Sequence, residues 1–115
     1  MARLELEAVV TAGAADSSGA GAAFAALSIT SVDGAPQNDL DESQLRVFVI
    51  ASPGGTPDPI TFVLNQSRND GYYLLSLFPG NGTPEERWEK GVYLLGFAAE
   101  RLGDVGQTLA DVKIP

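Results

Sequence analysis

Apolar and polar residues alternate over short stretches along most of the chain, and clusters of Gly, Pro, Asn and Asp separate those stretches. A period of two with β-branched and aromatic residues predicts strands. Residues 3–11 set the pattern, with Leu4, Leu6, Ala8 and Val10 on one face and Arg3, Glu5 and Glu7 on a solvated one. "AGAADSSGAGAA", residues 12–23, reads as a flexible connection, because Gly and Ser at this density disfavour a helix. A second strand is expected over residues 24–32. It closes at Asp33-Gly34-Ala35-Pro36, where Gly permits positive φ and Pro fixes the exit, and Leu40 is placed to plug the connecting loop into the core.

"QLRVFVIA", residues 44–51, is apolar on both faces and predicts a central strand. "SPGGTPDP", residues 52–59, permits no ladder and is a loop. The fourth and fifth strands are expected over residues 60–65 and 71–78. The crossover at 79–90 carries a single helical turn at 84–88, with Thr83 as N-cap and Pro84 in the first helical position. A sixth strand over 91–100, a hairpin turn about Gly103-Asp104-Val105-Gly106 and a seventh strand over 107–114 complete the pattern. The fold class is all-β: a seven-stranded antiparallel β-sandwich, as one domain over residues 1–115.

Composition narrows the chemistry. The 115 residues include neither Cys nor His, which excludes thiolate zinc sites, cysteine nucleophiles and every mechanism that needs an imidazole base. Seven Lys and Arg against 15 Asp and Glu give a net charge of -8. That balance repels a phosphate backbone, so nucleic acid is not an expected partner. The N-terminal residues alternate like a strand and lack the apolar core of a signal peptide, and no later run approaches the ~20 apolar residues of a membrane span. The expected setting is either cytoplasmic or that of an excised surface domain. No Walker loop, Gly-x-Ser-x-Gly elbow or dinucleotide fingerprint occurs, and no cofactor is expected.

Gly-x-Tyr-Leu-Leu occurs twice, at residues 71–75 and 91–95, with flanks that do not repeat. Tyr73 and Tyr93 share parity with Leu75, Leu77, Leu95 and Phe97, so both rings should point inward and each hydroxyl should find a backbone partner. Tyr72 has the opposite parity. With Trp88 it could form a ligand-binding pair for a carbohydrate, although Trp88, flanked by Glu86, Arg87, Glu89 and Lys90, better fits a ring that caps one end of the core. Asp39, Asp41 and Glu42 are the oxygen ligands a calcium ion would use, but their spacing matches no EF-hand loop and no metal is expected. Asn65-Gln66-Ser67 and Asn81-Gly82-Thr83 match the glycosylation acceptor pattern.

Trp88, Gly91 and Tyr93 before a final hairpin resemble the penultimate strand of an immunoglobulin-like domain of the fibronectin type III kind. Asp33, Gly34, Pro36 and Leu40 are similar to a turn of bacterial Ig-like and carboxypeptidase-regulatory-like domains. The resemblance implies a domain that binds or spaces other molecules rather than one that catalyses. The missing cysteine pair sets the chain apart from true antibody domains. A one-sided sandwich would leave over Val9, Phe48, Ile50, Val63, Leu74, Phe78, Val92 and Leu94. The expectation is therefore a non-catalytic interaction or assembly module, a structural subunit that binds a protein partner or itself, with Phe48, Leu74 and Leu94 at the interface. The alternative is a carbohydrate-binding module built on Tyr72 and Trp88.

Overall fold

The computed structural model describes residues 3–12, 23–54, 60–67, 70–80 and 88–114, with the backbone alone at Gln66 and Ser67. The fold is all-β. Its strands are β1 (Leu4–Ala12), β2 (Ala23–Ser31), β3 (Leu45–Ala51), β4 (Ile60–Ser67), β5 (Tyr72–Pro79), β6 (Gly91–Arg101) and β7 (Asp104–Ile114), with one 3-10 turn at Glu42–Gln44. They form two antiparallel sheets, β1-β2-β5-β4 and β3-β6-β7.

Alternation decides what each strand buries. In β6 the inward Tyr93, Leu95, Phe97 and Ala99 are buried, and in β5 so are Tyr73, Leu75 and Leu77. With Leu4, Leu6, Leu27, Ile29, Leu45, Val112 and Ile114 they join one buried cluster fed by both sheets. Each fully buried Leu or Ile contributes about 1.5–3 kcal/mol relative to exposure. The sheets also meet along one side, where Arg3 bridges Val105 in parallel just before β1 begins.

The segment between β2 and β3 is tied to the core by backbone bonds and one phenol. Gly34 takes φ 85 at the expected turn. The Ile29 N–H donates to Gly71 O at 2.9 Å and the Gln37 N–H to Ile29 O at 3.0 Å. Leu40 is buried, as the loop's plug should be. The Asp41 N–H donates to Gln44 Oε1 at 2.8 Å, which closes the 3-10 turn.

Three expectations change. The strand expected to be central is β3, and it lies at an edge, with β6 as its one strand partner among the described residues. Its apolar character on both faces reflects what its outer face meets: Phe48 leans on Gly96 of β6. The last hairpin is tighter than the glycine spacing implied, because Arg101 pairs with Asp104 and β7 starts there. Leu102 and Gly103 alone make the turn, at φ 52 and 88, the double positive φ that matches the twist of a hairpin. Ala12 and Ala23, expected in the first connection, pair with each other at the ends of β1 and β2. The remainder of that connection, residues 13–22, and residues 84–87 of the expected helical turn lie outside the described residues.

Candidate interaction surfaces

Side chains that alternate away from the core create two outer faces, and both are partly apolar. On the three-stranded sheet the outward residues of β3 are Arg46, Phe48 and Ile50. Beside them stand Val92, Leu94 and Ala98 of β6 and Leu109 of β7. Register sets Phe48, Gly96 and Leu109 in one row across the sheet. A Cβ on Gly96 would stand 2.3 Å from Phe48 Cε2, so the ring fills the space that glycine leaves. Arg46, Glu100, Asp111 and Lys113 share this face with the apolar residues.

The four-stranded sheet presents a different surface. Phe24 of β2 pairs with Ser76 of β5, which pairs with Val63 of β4. The next row holds Val9, Ala26 and Leu74. Ser76 points outward yet is buried, because Phe24 and Val63 flank it and the Asn65 Nδ2 amide donates to its hydroxyl. Val9, Phe24, Val63 and Leu74 are exposed. None of the 15 acidic residues lies on β2, β3, β4 or β5, and the one cation on those strands is Arg46. Across β2, β5 and β4 the outer face is therefore uncharged, and Glu5 and Glu7 of β1 border it.

All eight residues that the sequence left over for an interface lie on these faces. Leu74 is 40% exposed, Phe48, Ile50, Val63, Val9 and Val92 are exposed as well, and Phe78 and Leu94 are half-buried. The faces separate the three interface residues: Leu74 is on the four-stranded sheet, and Phe48 and Leu94 are on the other. Phe24 was missed, since the largest residue of β2 stands opposite in parity to Leu27 and Ile29. Leu102 was missed too; it is 96% exposed at the hairpin tip.

The two aromatics expected to hold a ligand do not share a surface. Tyr72 is 49% exposed, whereas Trp88 is 6% exposed and belongs to the core. The Trp88 ring meets Tyr93 edge-on with centroids 5.1 Å apart, and its indole nitrogen is buried without a hydrogen-bond partner among the described residues. It has no open face on which a sugar ring could stack. The inward tyrosines behave as their parity requires. The Tyr93 hydroxyl accepts from the Glu89 N–H at 2.8 Å. The Tyr73 hydroxyl donates to Gln37 O and accepts from the Leu40 N–H at 3.2 Å. Burial raises the Tyr73 pKa above 10.0, partly offset by the Leu40 N–H and the Arg101 charge.

Asp39 and Asp41 flank Leu40 in a loop held by protein contacts: the Gly71 N–H donates to Asn38 Oδ1 at 2.9 Å, and the Arg101 guanidinium donates to Asn38 O. Among the described residues no three acidic side chains gather in a metal-binding group. Of the glycosylation patterns, Asn65 sits on β4 bonded to Ser76, and residues 81–83 lie outside the described residues. An open cavity of about 880 Å³ lies where β1 and β7 meet, between Arg3, Glu5, Gln44, Arg46, Glu100 and Gln107. A shallower one of about 630 Å³ runs along β3 toward Ile60 and Phe62 of β4. Comparison of the chain with family models, curated proteins and solved structures finds no match.

Proposed function

We propose that the chain is an immunoglobulin-like β-sandwich domain that works as a non-catalytic interaction or assembly module. Two features support the fold assignment. The sheet orders β1-β2-β5-β4 and β3-β6-β7 correspond to the ABED and CFG sheets of a constant-type immunoglobulin domain. Near the start of the sixth strand, Tyr93 binds the backbone four residues upstream, much as the tyrosine corner of such domains does.

One observation carries the functional reading: a chain of net charge -8 keeps the outer face of three neighbouring strands, β2, β5 and β4, free of charge and studded with exposed apolar side chains. Acidic residues elsewhere maintain solubility and repel indiscriminate association. An apolar surface bordered by polar residues has the anatomy of an interface. The absence of His and Cys from the sequence agrees with a role that needs no nucleophile or base. Native mass spectrometry over a concentration series tests the reading. Multiples of the 12.0 kDa chain are expected. A bare monomer at every concentration contradicts self-association, and one that also captures no protein partner contradicts the module itself.

A further inference from the structure

We propose that the outer face of the four-stranded sheet is the surface on which two copies of this chain pack about a two-fold axis near Leu74. The inference rests on the interaction-module reading and commits it to one face and one occupant.

Charge selects the occupant. Two chains of net charge -8 repel wherever their acidic surfaces approach, and an isologous contact brings the same patch of both copies together, so acids within it would face acids. A self-contact therefore belongs where acids are absent. The outward residues of β2, β5 and β4 meet that condition, so a two-fold through them opposes no like charges. The opposite face does not, since Arg46, Glu100, Asp111 and Lys113 stand on it and Phe48 already spends its ring on Gly96. A basic partner would be drawn to the acidic surface rather than to this neutral one.

Size and shape agree. The three uncharged strands, about 4.8 Å apart and eight residues long at about 3.3 Å each, give a footprint of about 380 Å² per copy. Both copies together then bury about 760 Å², below the range of stable specific interfaces, as expected of a weak, concentration-dependent dimer. Register makes the apolar group contiguous: Val9, Ala26 and Leu74 form one row, Phe24 and Val63 flank Ser76 in the next, and Phe78 lies beyond. Leu74 is central, so it meets its own copy across the axis. Sheets pack face to face in this manner inside sandwiches.

The test is sedimentation equilibrium on the full chain, comparing wild type with Leu74→Arg, Val63→Lys and, on the other face, Leu94→Arg. Emission of Trp88, the single tryptophan and a buried one, checks that each variant is folded. Leu74→Arg and Val63→Lys should weaken the dimer at least about a hundredfold, because each sets uncompensated charge in a desolvated contact. Leu94→Arg should leave it unchanged. An NMR dilution series on wild type gives a readout without mutation: amides of β2, β5 and β4 should shift with concentration, and those of β3, β6 and β7 should not. A wild type that associates, yet ignores both substitutions or shifts at the opposite face, overturns this assignment and leaves the interaction module standing. A wild type that stays monomeric overturns self-association altogether.

Discussion

The ring of Phe48 covers Gly96 on the neighbouring strand, so closely that a Cβ at position 96 would stand 2.3 Å from Phe48 Cε2. Glycine weakens a strand by leaving it nothing to pack, and the ring supplies that missing cover across the ladder. Gly96→Ala must expel the ring. The expected cost is about 1–3 kcal/mol by denaturant unfolding. Adding Phe48→Ala should recover part of it, so the two substitutions couple by about 1 kcal/mol or more in a double-mutant cycle. Strict additivity would show that the ring and the glycine are independent.

Tyr73 fastens the segment before β3 to the core, since its hydroxyl serves both Gln37 O and the Leu40 N–H. Tyr73→Phe leaves that carbonyl and that N–H without their partner and should cost about 1–3 kcal/mol. The same phenol gives a pH signature. Its folded-state pKa is raised by burial, so above pH 10.0 the unfolded chain ionises this group first. The contribution is complete below that pH and is lost as pH climbs through the folded value. Wild type should therefore lose stability in that window, and Tyr73→Phe should lack that component. Parallel alkaline profiles for the two proteins would contradict it.

Leu102 holds φ 52 at the hairpin tip with its side chain 96% exposed. A branched apolar residue is strained there and covers nothing, while Asn accepts this conformation readily. Leu102→Asn should stabilise the protein by about 1 kcal/mol and raise its melting temperature by a few degrees. A lower melting temperature would show that the leucine makes a contact this structure lacks.

Where a strand alternates cleanly, the sequence revealed both its position and its buried face. β1 is the clearest case, with Leu4 and Leu6 inward and Glu5 and Glu7 outward. Tyr73, Tyr93 and Leu40 were legible for the same reason, since parity or a turn fixed their direction. Strand order was less accessible. "VFVI" in β3 carries apolar residues on both faces, a pattern that a central strand and an edge strand with an apolar outer surface share. The hairpin tip was hidden because leucine gives no turn signal. Trp88 sits among charges in the sequence, which favours a ring that caps one end of the core over a sugar platform, and in the fold it is buried. The absence of acids from strands β2 to β5 could have been read directly: the acids cluster in β1, in loops and in the last two strands.

Salt dependence of wild-type association tests the central claim most directly, because a contact through an uncharged apolar face differs in sign from one made by ion pairs. Added salt screens the repulsion between two chains of net charge -8 and removes no attraction. Sedimentation equilibrium from about 0.01 M to about 0.5 M salt, over which the Debye length falls from about 30 Å to about 4 Å, should show mass rising above 12.0 kDa at progressively lower protein concentration. A dimer that weakens steadily with salt, or a chain that remains at 12.0 kDa throughout, would contradict it.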